Sequence, residues 1–146
     1  MKQIETFIDI DAPPRVVWDI LTDFSAHGRW NPFIPDISGK PTEGERLAVT
    51  IAPPGKKRMN FTPRVISAKP PREFAWLGHL VIPGLFDGEH RFLIEERSDG
   101  KTRLTQREEF RGMMVGLFWK GLEPATRKGF EEMNAALKHR AEGGQG

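Results

Sequence analysis

Hydrophobic and polar residues alternate from the first strand onward. Ile4, Thr6, Ile8 and Ile10 fall on one side, and Gln3, Glu5, Phe7 and Asp9 on the other. A half-buried strand has this period of two. Asp11-Ala12-Pro13-Pro14 then stops the strand and opens a helix, with proline in the first turn, where its missing N–H costs nothing. Val17, Ile20, Leu21 and Phe24 follow at helical spacing, and residues 25–32 read as a turn and a second short helix ended by Pro32. From 36 to 111 strands and turns repeat: Asp36–Lys40, then Leu47/Val49/Ile51, Met59/Phe61/Val65, Phe74/Trp76/Leu80, His90/Phe92/Ile94 and Leu104/Gln106/Glu108/Phe110. Short Gly/Pro turns between them predict an antiparallel meander. Pro63 inside the third of these marks a bulge or an edge.

Residues 113–140 read as one long helix. Met114, Phe118, Leu122, Thr126, Phe130, Met133 and Leu137 run down one side, which on pattern alone suits core packing better than a ligand-binding stripe. Gly116, Gly121, Gly129 and Pro124 are costly inside a helix, so a kink or break is expected near Glu123-Pro124. Residues 1–140 make one domain, and 141–146 a flexible tail.

Composition narrows the chemistry. The 146 residues include no Cys, which excludes disulfides and thiol nucleophiles, and no Tyr, which removes the phenol as an acid. The net charge is only +2, and most basic residues have acidic neighbours, so nucleic acid is not an expected partner. The one undiluted basic run, Lys56-Lys57-Arg58, reads as a solvated turn. Four scattered histidines (27, 79, 90 and 139) offer no metal-ligand spacing, and no nucleophile elbow or phosphate loop occurs. Neither metal nor cofactor is expected. The N-terminus reaches an acid at once and no segment approaches a membrane span, so a cytoplasmic location without stable membrane insertion is expected.

Three segments carry a resemblance to a known family. They are Ile10–Asp23 (IDAPPRVVWDILTD) with Trp30-Asn31-Pro32, Gly88–Phe92 leading through Gly100–Leu104 to Glu109–Gly112, and Gly129–Lys138. The chain resembles the START-like (SRPBCC) superfamily, most closely its polyketide cyclase/dehydrase and lipid-transport group. The resemblance implies an α+β helix-grip fold: a curved antiparallel sheet wrapped around the C-terminal helix, with two short helices between the first and second strands. It also implies an apolar cavity between sheet and helix that binds lipids, quinones or polyketide-like molecules.

Strand parity places polar groups on the cavity wall. Leu104 and Phe110 fix the inward face of the last strand, so Gln106 and Glu108 also point inward, as do His90, Phe92 and Ile94 opposite. A three-residue loop at Ser98-Asp99-Gly100 pairs Arg97 with Lys101 and sets His90 opposite Glu108. That pair is either a satisfied polar contact that pins register or a binding or proton-transfer dyad, and it supplies the catalytic candidates if the protein is an enzyme. In a meander the turn 53–57, the turn 81–88 and the junction 111–113 lie at one end. Val81–Phe86 and Met113–Phe118 are apolar there, beside Lys56 and Lys57.

The expected ligand contacts are therefore Trp30, Phe61, Trp76, His90, Phe92, Gln106, Glu108, Met114, Phe118, Leu122 and Phe130. Lys56, Lys57, Ile82, Leu85, Phe86, Met113 and Leu117 would form a portal suited to an amphipathic ligand with an anionic head. Alternatives are a cyclase/aromatase-type enzyme, and an interaction module whose apolar loops meet a partner or a second copy in a homodimer.

Overall fold

A computed structural model describes residues 1–79 and 82–143. Leu80, expected in a strand, and Val81, expected in the apolar 81–86 loop, lie outside the described residues, as do Gly144, Gln145 and Gly146 of the expected tail. The elements run β1 (Lys2–Ile10), α1 (Pro14–Thr22), a 3-10 turn (Phe24–Ala26), α2 (His27–Trp30), β2 (Asp36–Ser38), β3 (Ala48–Ile51), β4 (Met59–Phe61), β5 (Arg64–Lys69), β6 (Glu73–His79), β7 (Asp87–Glu96), β8 (Thr102–Arg111) and α3 (Val115–Ala141).

The strands form two antiparallel sheets, one of five strands in the order β1-β8-β7-β6-β5 and one of three in the order β2-β3-β4. The expected strand holding Met59, Phe61 and Val65 is in fact two. Pro63 has no N–H to continue the ladder, and the chain passes there from the small sheet to the large one. The bulge expected at Pro63 falls instead between Val65 and Ser67. An isolated Arg46–Arg64 bridge and hydrogen bonds from Leu47 N–H to the Pro63 carbonyl and from Val65 N–H to the Glu45 carbonyl stitch the two sheets together.

The helix α3 lies against β1 and β8, with Phe130, Met133 and Leu137 fully buried. It runs 27 residues without a break in its assignment, Pro124 included. The expected break is absent although Pro124 is costly at an interior position; the buried later turns at Phe130, Met133 and Leu137 hold the helix against the sheet. Gly129 gives the closest helix approach: a Cβ there would collide with the Phe33 ring. At its C-terminal end α3 includes Ala141, and the Glu142 carboxylate accepts hydrogen bonds from Asp11 N–H and Lys138, each at 2.7 Å.

Val17, Trp18 and Leu21 bury one side of α1. The single turn α2 is pinned by His27, whose Nε2 donates to the Leu21 carbonyl at 2.8 Å while Asn31 Nδ2 donates to its Nδ1 at 3.1 Å. The outward face of the large sheet is charged, with Arg103 paired to Asp9 and Arg107 to Glu5. Such exposed pairs contribute little stability, because water and salt screen them. Among the described residues no helix is long and apolar enough to cross a membrane.

Candidate functional site

The β7–β8 hairpin has the register that its turn dictates. Gly100 takes a positive φ of 81°, and Arg97 N–H donates to the Lys101 carbonyl at 2.7 Å. From there Ile94 faces Leu104, Phe92 faces Gln106, and His90 faces Glu108. His90 is 2% exposed and lies among the rings of Phe92, Phe130 and Trp76, with centroids 4.4, 4.8 and 5.2 Å away. Its Nδ1 is 3.5 Å from Glu108 Oε1, and its Nε2 donates to Gln106 Oε1 at 3.0 Å.

A buried chain of amides continues behind the imidazole. Gln106 Nε2 donates to Asn134 Oδ1 at 2.7 Å and to the Phe130 carbonyl at 3.3 Å, and Asn134 Nδ2 donates to Thr6 Oγ1 at 3.0 Å. The chain thus links β7, β8, α3 and β1. Burial pushes His90 down to about 4 and Glu108 up to about 8, because neither charged form is solvated there. Burial thus disfavours the charged form of each.

Glu108 fits because glycine faces it. Gly78 and Gly88 are opposed across β6 and β7, and a Cβ on Gly88 would stand 2.5 Å from Glu108 Oε2. Gly78 likewise makes room for the Phe61 ring, and both glycines border a hollow in the wall. It forms an inner chamber of about 50 Å³, whose lining includes Phe61, Trp76, Phe110, His90 and Glu108. A larger outer chamber of about 570 Å³ lies beside it, lined by Pro53, Lys56, Lys57, Leu85, Met114, Phe118 and Ala125 among others. Met59, Phe86, Leu122 and Thr126 line both, so the two share a wall.

The three chain segments expected at one end do meet there. Met113 N–H donates to the Gly84 carbonyl at 3.2 Å and Met114 N–H to the Leu85 carbonyl at 2.9 Å. Gly112, at a φ of 129°, permits this crossing, because a Cβ would strike the Leu85 carbonyl. Lys56 and Lys57 of the 53–57 turn line the outer chamber beside α3.

The structure gathers some expected contacts and separates others. Phe61, Trp76, His90, Glu108 and Leu122 line the inner chamber; Lys56, Lys57, Leu85, Phe86, Met114, Phe118 and Leu122 line the outer one. Phe118 was expected to face the sheet but is 52% exposed and lines the outer chamber, while its neighbour Trp119 packs on Phe110 of β8. Ile82, Met113 and Leu117 line neither chamber and are exposed. Phe92, Gln106 and Phe130 also line neither: Phe92 and Phe130 pack around His90, and Gln106 serves the amide chain. Trp30 is buried against His27, away from both chambers, with its Nε1 lacking a hydrogen-bond partner. Glycines on an inward strand face could have disclosed the hollow at Gly78 and Gly88, and Phe33, Ile51, Met59, Phe110 and Thr126 complete a lining that the pattern alone missed. Among the described residues no three His, Asp or Glu side chains converge as a metal site.

The sequence matches the description "polyketide cyclase / dehydrase and lipid transport" over residues 1–142. The chain belongs to this family. No curated protein matches it. Solved structures share the fold of this family member. A Streptomyces protein described as the Zhui aromatase/cyclase superposes with a TM-score of 0.78 at 16% identity, over 98% of each chain. A START superfamily protein from Mycobacterium smegmatis gives 0.70 at 19% identity, over 96% of this chain and 97% of the other. The di-domain ARO/CYC protein BexL gives 0.73 at 20% identity over 97% of this chain, which spans only 47% of BexL. The helix-grip architecture of the START-like superfamily is therefore the fold of this polyketide cyclase/dehydrase and lipid transport family member.

Proposed function

We propose that this protein holds one apolar or amphipathic small molecule, with its body in the outer chamber and its tip in the inner one. Met59, Phe86, Leu122 and Thr126, which line both hollows, carry this reading, because they set a roomy apolar mouth directly beside a small hollow with two polar groups. Ligand sites commonly combine an apolar lining with a few placed polar groups. Lys56 and Lys57 at the rim suit an anionic head, so a lipid-like, quinone-like or polyketide-like molecule fits this polarity. A cyclase-type reaction is the second reading. It is favoured by the buried His90–Glu108 pair at the blind end and by the aromatase/cyclase names of two structural neighbours. Exposed Ile82, Met113 and Leu117 favour a third, in which the loops meet a partner or a second copy of the chain.

Anilinonaphthalene sulfonate, an apolar probe with an anionic group, tests the first reading. Leu122→Trp would fill the junction between the chambers. The expected result is at least about tenfold weaker probe uptake, with the cooperative unfolding transition retained. Unchanged uptake by the folded variant would contradict binding through the chambers.

A further inference from the structure

The hydrogen-bond polarity of the amide chain fixes the proton on His90. The Phe130 carbonyl can only accept, so the Gln106 group facing it, 3.3 Å away, is the NH2. The same NH2 donates to Asn134 Oδ1, and Asn134 turns its own NH2 to Thr6. Gln106 Oε1 is then an acceptor toward the imidazole, and His90 Nε2 carries the hydrogen. Two arrangements of the other nitrogen remain. In one, Nδ1 is bare and Glu108 carries a proton; in the other, the imidazolium faces a carboxylate.

Burial selects between them. Both groups lie in an aromatic wall, and nothing charged compensates them. The inner chamber draws its lining from β3, β4, β6, β7, β8, α3 and the loops at Phe33 and Phe86, and only His90 and Glu108 in that lining titrate. On β1 the neighbour of Glu108 is Ile4. Lys56 and Lys57 stand in the outer chamber. The flanking charges Glu89, Arg91, Arg107 and Glu109 occupy odd positions, on the opposite face of the sheet. A separated ion pair in such a place forfeits the hydration of two charges for one contact at 3.5 Å.

We propose that Glu108 is held as a neutral carboxylic acid beside the bare Nδ1 of His90, and that the pair receives a ligand hydroxyl at the blind end. A hydroxyl is the group that matches both partners, since its oxygen accepts from the acid while its hydrogen is donated to Nδ1. An ether or ketone oxygen can only accept, and leaves Nδ1 unpaired. A carboxylate would bring an uncompensated charge into the same wall. The direction of both burial effects agrees with this assignment. The ligand class is therefore an alcohol, enol or phenol on an apolar body, and this selectivity rests on the binding function proposed above.

Two measurements test it. In the free protein at pH 7, nitrogen and carboxyl-carbon NMR should show His90 neutral with its proton on Nε2, and Glu108 protonated. An imidazolium beside a carboxylate would overturn the proposal whatever the protein binds. For binding, 4-butylphenol, 4-butylanisole and butylbenzene share an apolar body and differ at its tip. The phenol should bind about tenfold more tightly than the other two, and Glu108→Leu should erase that preference, read as the ratio of phenol to butylbenzene affinity measured on the same variant. Equal affinities for all three would refute hydroxyl selection and leave apolar binding standing. Failure of all three to bind would reject the binding function, and hydroxyl selection with it.

Discussion

Glu108→Gln should stabilise the protein at alkaline pH and hardly affect it in mild acid. Glutamine keeps the shape of the protonated acid, with one donor side toward His90 and one acceptor side toward Gly88, but it never ionises. In the wild type the folded carboxyl is pushed up to about 8 from an ordinary 4.5 by burial. Between those values the unfolded chain gives up its proton and the folded chain does not. Folded protein therefore binds more protons than unfolded, and stability falls as pH rises. The contribution is fully present below pH 4.5 and lost as pH passes 8. Each pH unit in that window costs the wild type about 1.4 kcal/mol relative to the variant, an upper limit near ~5 kcal/mol in all. The carboxyl side chain keeps 16% of its surface open to the chamber, so partial hydration should reduce the gap to roughly 2–4 kcal/mol at pH 8.5. Urea denaturation at pH 5, 7 and 8.5 reads it as a widening difference in midpoint, about 1–2 M at the alkaline end. A gap that stays flat, or a wild type that gains on the variant with rising pH, would mean that Glu108 is ionised in the folded state.

Acid should act through His90 in the opposite sense. Its folded value of about 4 lies below the ordinary 6.5, so stability falls as pH drops from 6.5 to 4, and His90→Phe should blunt that acid slope in a denaturation series. Gly88→Ala places a methyl 2.5 Å from Glu108 Oε2; it should cost about 1–3 kcal/mol by chemical denaturation and displace the carboxyl from His90. Replacing Lys56 and Lys57 together by Glu should weaken binding of an anionic amphiphile but not of a neutral one, and added salt should narrow the difference in a titration.

Parity and turn chemistry made the wall legible in the sequence. A slip of one residue would have turned His90 outward, and the left-handed Gly100 position of the hairpin loop forbids that slip. The meeting of the 53–57 turn with the two apolar segments followed from counting strand reversals. Other features depend on distances between layers, which the pattern along one strand does not carry. Asn134 lies one turn past Phe130 on α3, and only the helix–sheet separation reveals that it completes the chain from Gln106 to Thr6. Trp30, an expected ligand contact, is folded by the single turn of α2 against His27 instead. Gly88 falls in the expected turn 81–88 but lies on β7, where its lack of a side chain makes room for the Glu108 carboxyl, as that of Gly78 does for the Phe61 ring. Phe92 and Phe130, expected as ligand contacts, are fully buried around the His90 ring instead, a placement that depends on how closely the helix meets the sheet.

The most direct test of small-molecule binding through the two chambers is an NMR titration with 4-butylphenol, following methyl and backbone signals together. The perturbed residues should include Met59, Leu122 and Thr126 at the shared wall and Leu85 at the mouth, with His90 and Glu108 shifting at the same ligand concentration. Shifts confined to the exposed Ile82, Met113 and Leu117, with Met59, Leu122 and Thr126 unmoved, would place the ligand on the surface and contradict the account.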